Sequence, residues 1–223
     1  MNNTQYKYDA IFYDFDGTLA DSVPVIMECF KLAYNDVLGR CDRTDADLLS
    51  YIGKPLIETF QMHDEETSKA LFDSYIRHNE KALVNNELPL FEGVREELEK
   101  IQALGIYQGI VTSKRKKSLM TSIEVLHLEK NFDSFIHKEL TEGHKPGPEP
   151  LLYAMEKAGL TDSSRVLYVG DAAPDILCAQ AASCDSVLVG WTRMPKEELI
   201  KLDPTYVIED ISELSCIIGL HEL

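Results

Sequence analysis

The sequence predicts an α/β protein, a doubly wound parallel sheet that carries an inserted all-helical cap. Three observations lead there. Residues Ala10-Ile11-Phe12-Tyr13 form an apolar run of the kind a strand buried on both faces needs, and it breaks at once into Asp14 and Asp16, followed by Gly17 and Thr18. From Gly93 onward helical and strand patterns alternate, the grammar of a parallel sheet with helices on its faces. Between Leu19 and Leu88 no strand signal occurs. The expected division is a core made of residues 1–18 and 89–223, interrupted by a helical cap at 19–88.

Past the first strand the apolar residues Val23, Ile26, Met27, Phe30, Ala33, Tyr34, Val37 and Leu38 recur at helical spacing. Ser22 is placed to cap this helix, Pro24 suits its first turn, and Gly39 follows its end. Thr44 to Ile52 reads as a short helix stopped by Gly53-Lys54-Pro55, Leu56 to Met62 as another, and Glu65 to about Leu88 as a long charged one. The segment Leu88-Pro89-Leu90-Phe91-Glu92-Gly93 leads back to the core. There the pattern predicts helices at 93–104, 114–126, 148–159, 174–182, 195–202 and 211–218. Strands are expected at 106–112, 132–136, 166–169, 186–189 and 206–208. In such a sheet ligands bind at the carboxyl ends of the strands.

Composition narrows the function. The chain has 223 residues, 44% of them hydrophobic, with 22 Lys+Arg against 38 Asp+Glu for a net charge of −16. So acidic a protein is a poor sequence-independent binder of nucleic acid, which draws its affinity from neutralised phosphates. It is equally ill suited to an electrostatic membrane anchor. A phosphate-bearing ligand would need a local positive patch, from a metal ion and a few lysines. The five cysteines show no C-x-x-C spacing, so reduced thiols and a cytoplasmic setting are expected. No signal core or transmembrane run is present in the sequence.

The polar motifs fall where strands end. Two carboxylates two residues apart, behind a buried strand, are costly unless a cation neutralises them, and hard oxygen ligands suit Mg²⁺. Gly17 lets the backbone approach a ligand closely, and Thr18 offers a hydroxyl and an amide to an anion. Thr112 and Ser113 close the strand at 106–112 and can donate to phosphate oxygens or simply cap the next helix. The basic run Lys114 to Lys117 that follows is read mostly as a solvated helix face. In His144 to Pro150, H-K-P-G-P-E-P, three prolines predict a rigid extended path that holds Lys145 in place. Val169 to Ile176, V-G-D-A-A-P-D-I, brings Asp171 and Asp175 to another strand end, placed to complete an oxygen cage for Mg²⁺.

The string Asp14 to Asp21, D-F-D-G-T-L-A-D, resembles the signature of the haloacid dehalogenase superfamily in its phosphatase branch. Thr112, Lys145 with its K-P-x-P-x-P context, and G-D-x-x-x-D at Gly170 to Asp175 resemble that family's later motifs. Two positions depart from it: Gly147, where Asp is frequent, and Ala172, where a polar residue is usual. The all-helical insert between the first and second motifs is similar to the cap of the phosphoglycolate phosphatase and pyrophosphatase group. The resemblance implies a Rossmann-like core and a Mg²⁺-dependent phosphatase acting on a small phosphate monoester, phosphoglycolate-like, or on pyrophosphate.

It further implies that Asp14 is the nucleophile and Asp16 the general acid and base. Thr112 and Lys145 would hold the phosphoryl oxygens, and Asp14, Asp16 and Asp171 the Mg²⁺, with Asp175 behind them. Gly17, Thr18, Ser113 and, from the cap, Lys54 are the expected substrate contacts; Trp191 either walls the site mouth or packs. The partners expected are a small phosphorylated metabolite or pyrophosphate, with no nucleic acid and no membrane, on a monomer or weak homodimer. A phosphomutase of the same superfamily would use the same acids and is the alternative. A catalytically silent regulatory protein on this fold would have lost Asp14, Asp171 or Lys145, and all three are present.

Overall fold

The computed structural model describes residues 6–52, 56–85 and 88–219. Its six strands are β1 (Ala10–Tyr13), β2 (Tyr107–Val111), β3 (Ser134–Ile136), β4 (Val166–Gly170), β5 (Asp185–Val189) and β6 (Tyr206–Ile208). They form one sheet in the spatial order β3-β2-β1-β4-β5-β6, and every pairing is parallel. The order reverses at β1, which has β2 on one side and β4 on the other. That is the switch point at which doubly wound sheets bind ligands.

Alternation along β1 explains why the sheet is covered on both faces. Ile11 and Tyr13 join an apolar cluster with Val94, Leu98, Leu119 and Leu214, contributed by α5 (Val94–Ala103), α6 (Lys116–Val125) and α10 (Glu213–Ile217). Ala10 and Phe12 point the other way, into a cluster with Leu151, Met155, Cys178 and Ala179, which come from α7 (Glu149–Ala158) and α8 (Ala173–Ala181). Every residue of β1 and of its neighbour β4 is buried, and these central strands read as apolar runs. The short α9 (Lys196–Ile200) lies between β5 and β6 in the chain.

The insert folds as α1 (Val23–Leu38), α2 (Asp45–Leu49), α3 (Leu56–Thr59) and α4 (Glu65–Val84), with no named strand among its described residues. Most of its buried residues, among them Phe30, Tyr34, Leu48, Phe60, Leu71 and Tyr75, make a cluster of their own, while Leu83 of α4 joins the cluster of the sheet. Phe30 is its centre, with ring centroids 4.6 Å from Tyr75, 5.5 Å from Tyr51 and 5.7 Å from Phe60.

The two chain crossings between insert and core are tied together. Ala20 bridges to Leu90 in antiparallel fashion, Asp21 N–H donates to Pro89 O at 2.9 Å, and Phe91 N–H donates to Leu19 O at 3.0 Å. Arg193 grips Asp21 through three bonds, two from Nη2 at 2.8 and 2.9 Å and one from Nε at 3.2 Å. On the far side, Ser118 of α6 donates to Asn79 of α4 at 3.0 Å, and Lys117 pairs with Glu80 at 2.6 Å.

Three local expectations are corrected. Ser22 does not cap α1: its backbone is already helical (φ −88°, ψ −15°), so its hydroxyl cannot turn back onto the first N–H groups and makes no cap bond. Gly39, left-handed at φ 75°, does end that helix. The long cap helix stops at Val84 rather than near Leu88, because Asn85 leaves the helical backbone at φ −77°, ψ 3° and closes the last turn. The proline-rich stretch is a turn and not an extended path, closed by Gly147 N–H donating to His144 O at 2.8 Å.

Candidate active site

Register places the polar residues side by side. Tyr13 lies opposite Ile110 on one flank and Val169 on the other, so Asp14, Thr112 and Asp171 leave three neighbouring strands at one edge. Asp14 is fixed by its N–H donating to Val169 O at 2.8 Å. Gly17 has φ 84°, and a Cβ there would come within 2.4 Å of an Asp171 carboxylate oxygen. Only glycine allows the first loop to close so tightly on the third.

Lys145 is the hub. Its Nζ lies 3.1 Å from Asp14 Oδ1 and 2.6 Å from Asp175 Oδ1, with all three side chains at least 94% buried. It also donates to Tyr168 Oη at 3.2 Å, and that hydroxyl donates to Val111 O at 2.7 Å. The second oxygen of Asp175 accepts from the N–H groups of Asp171 and Ala172 at 3.2 and 3.0 Å. Asp175 therefore orients Lys145 and clamps the loop that carries Asp171. Thr18 Oγ1 donates to Asp171 Oδ1 at 3.3 Å, and Thr192 Oγ1 donates to Asp171 O at 2.7 Å.

Asp16 points elsewhere. Its two oxygens accept from Lys114 Nζ at 2.8 and 3.0 Å, and the lysine side chain is only 7% exposed. Thr112, Ser113 and Lys114 line the cleft together with Asp14 and Asp16. Lys54 lies outside the described residues. Trp191 donates its indole N–H to Thr18 O at 3.1 Å and packs on Phe91, ring centroids 5.7 Å apart. It holds the first loop from behind.

Electrostatics favours a cation here. One carboxylate oxygen from each of Asp14, Asp171 and Asp175 falls within 4.8 Å of the others, and Asp171 Oδ2 is buried with no hydrogen-bond partner. Burial pushes the Asp14 carboxyl up to about 6, against the pull of Lys145 and a Thr112 hydrogen bond, with Asp175 and Asp16 adding to the rise. Burial, with Asp175 and Asp14, raises the Asp171 carboxyl well above its usual range. Burial opposes the charge on Lys145, but Asp14 and Asp175 outweigh it and hold its ammonium above the ordinary value. Two carboxylates so perturbed, one with an orphaned oxygen, suit a hard divalent ion that would restore their charge.

Sequence reasoning missed three contributors. Lys114 was absorbed into a basic helix face, although its place directly after Thr112-Ser113 at a strand end was the available signal. Tyr168 looked like one more buried strand residue, and Thr192 like part of a loop; neither carries a motif.

Above the floor lies a cleft of about 690 Å³, counting the solvent at its mouth. Parallel strand ends, a buried acid–lysine network and a helical cap together define a haloacid dehalogenase-type hydrolase. The description "Haloacid dehalogenase-like hydrolase" matches residues 11–189, and the chain belongs to that family. A protein from Caldanaerobacter subterraneus subsp. tengcongensis, provisionally designated pyrophosphatase PpaX, is 35% identical over 214 residues, 95% of each chain. Pyrophosphatase PpaX of Oceanobacillus iheyensis is 30% identical over 209 residues, 94% of this chain and 96% of its own. A solved structure from Haemophilus somnus 129PT, assigned as a phosphoglycolate phosphatase by prediction, superposes with a TM-score of 0.85 at 22% identity. It covers 95% of this chain and 98% of its own, and shows the shared fold. No described helix is long and apolar enough to cross a membrane.

Proposed function

We propose that the protein is a Mg²⁺-dependent phosphatase working through a phosphorylated Asp14. The observation that carries this reading is the Asp14 carboxylate at the cleft floor, 3.1 Å from the buried Lys145 ammonium and bordered by Thr112. Residues 19–88 act as the cap over that floor. Lys145 and the Thr112 hydroxyl hold the phosphoryl oxygens as an Asp14 oxygen bonds to phosphorus and the bond to the leaving oxygen breaks. Asp16 gives that oxygen its proton, for which the Asp16–Lys114 contact must first part. Asp16 then takes a proton from a water whose oxygen bonds to phosphorus, freeing phosphate and restoring Asp14.

Asp14 and Asp171, with the Asp16 carbonyl and with Asp175 behind, would hold Mg²⁺. When bound, the ion offsets the charge of the acids and of the phosphoryl group. Asp14→Asn tests the reading, since an amide of the same shape cannot attack phosphorus. Phosphate release should fall by about 10³-fold or more, and a phosphorylated species trapped by acid quench and seen by mass spectrometry should vanish. Release within about tenfold of wild type, some 1.4 kcal/mol of barrier, rules Asp14 out as nucleophile.

A further inference from the structure

Across the cleft from Asp14 and Asp16 the cap supplies a roof. Most of it is apolar, with Ile26 and Phe30 of α1, Tyr51, Ile52 and Leu56 among its residues, but Thr59 at the end of α3 and Asn79 of α4 line it too. Both are buried, at 4% and 5% exposure, and the Thr59 hydroxyl has no hydrogen-bond partner. Asn79 follows Leu71 and Tyr75 at helical steps, so it occupies the buried stripe of α4. An amide in such a place is costly unless its bonds are made. Ser118 of α6 donates to Asn79 Oδ1 at 3.0 Å, which satisfies the carbonyl half. That bond also sets which way the amide faces, and no described residue takes the hydrogens of its Nδ2.

We propose that Asn79 is the residue by which the cap selects its substrate, its amide N–H groups donating to an oxygen carried by the leaving group. This rests on the phosphatase reading above and deepens it. With the phosphoryl group on Asp14, received by Lys145 and the Thr112 hydroxyl, the leaving group extends between Asp16 and the roof. A bare hydrocarbon there would cover the Asn79 donors and leave them dry and unbonded. A hydroxyl, a carboxylate or a second phosphate would bring them an acceptor. A neutral amide donates to each of these oxygens, so the selection is between leaving groups that carry an acceptor and those that do not. The Ser118 bond spans core and cap, so the amide is oriented while α4 lies against α6.

The test uses the full chain with Mg²⁺ and measures kcat/KM on four compounds. Propyl phosphate has no acceptor beyond the phosphoryl group. Glycerol 1-phosphate, 2-phosphoglycolate and pyrophosphate bring a hydroxyl, a carboxylate and a phosphate, and the best of them identifies the source of the oxygen. That best compound should exceed propyl phosphate by roughly ten- to a hundredfold, the difference between a buried donor satisfied and one stranded. Asn79→Leu suits the stripe and removes the donors. It should shrink the ratio about tenfold or more, and the intrinsic reactivity of the leaving groups cancels in this comparison. Ser118→Ala cuts the tie between α4 and α6 but keeps the amide, so it should cost the ratio no more than about threefold.

Equal turnover of propyl phosphate and the other three by the wild type overturns the inference, as does an Asn79→Leu ratio within about twofold of the wild-type one. Equal losses on all four compounds in both variants overturn it too, and leave Asn79 as a tie between cap and core. If circular dichroism shows the leucine variant unfolded, Asn79→Gln, which keeps the amide and moves it by one methylene, takes its place with the same expected fall. Absence of Mg²⁺-dependent phosphate release from every compound brings down the phosphatase reading itself, a result distinct from a wrong order among substrates.

Discussion

The floor and the roof of the cleft are built on opposite terms. On the floor a single lysine ties two acids, one of which holds two backbone amides, and a tyrosine hydroxyl links the same lysine to the end of β2. On the roof the contacts are ring against ring and methyl against ring. A buried ionic network has one good geometry and is costly when any member is lost. Apolar surface accepts many shapes at similar free energy. Under the phosphatase reading the difference separates two tasks, with the chemistry at phosphorus falling to the floor and contact with the leaving group to the roof.

The comparison breaks most visibly by removing metal. A chelator should abolish phosphate release, and Ca²⁺ should fail to restore it where Mg²⁺ succeeds, because Ca²⁺ takes more ligands at longer distances. Full turnover in chelator would mean that the floor works with its own cations alone.

Next in size is Lys145→Met. Asp14 and Asp175 would then be buried without their cation, at a cost of about 3–5 kcal/mol in stability. That is a fall of roughly 10 °C in Tm for a chain of this size, together with loss of activity. Retained Tm in calorimetry would show that the ammonium contributes nothing to holding the two acids in the folded protein.

On the roof the expected effect is smaller and of another kind. Phe30→Leu keeps an apolar side chain in a buried place, so stability should drop by only about 1–2 kcal/mol. KM should rise more than kcat falls, since the roof binds and does not react. A kcat loss as large as that of Lys145→Met would erase the division between the two walls.

The smallest effect lies away from both. Glu97 of α5 is buried and accepts a hydrogen bond from Ser215. Burial raises its carboxyl above the ordinary value, with the Ser215 bond pulling back. The folded protein then keeps this proton to higher pH than the unfolded chain does. The stability contributed by this carboxyl is full below the unfolded value and is lost as pH rises through the folded one. Glu97→Gln retains an acceptor and removes that slope; Tm should rise by about one or two degrees at pH 7 and not at pH 4. Equal shifts at both pH values would assign the change to packing.

The same contrast decides what the sequence revealed. Strands buried on both faces leave near-continuous apolar runs, and a parallel sheet brings their carboxyl ends together, so Asp14, Thr112 and Asp171 could be placed at one edge from pattern alone. The roof was not legible. Helical periodicity marks Ile26, Phe30 and Tyr75 as turned inward, but it cannot tell a side chain packed within the cap from one facing an open cleft. Lys114 escaped for a related reason: charge in a basic run reads as solvated until a partner from 98 residues away, Asp16, is seen to meet it.

Trp191 has a use beyond holding the first loop. It is the sole tryptophan, and its indole N–H is bonded to the carbonyl of Thr18, two residues before the Ala20–Leu90 bridge where the chain crosses into the cap. The protein thus has a native fluorophore beside the crossing between core and insert. Its emission responds to that hydrogen bond, to the Phe91 ring packed on it and to the wetness of the crossing. With no label attached, stopped-flow fluorescence can report any change at the crossing as a ligand enters or phosphate leaves.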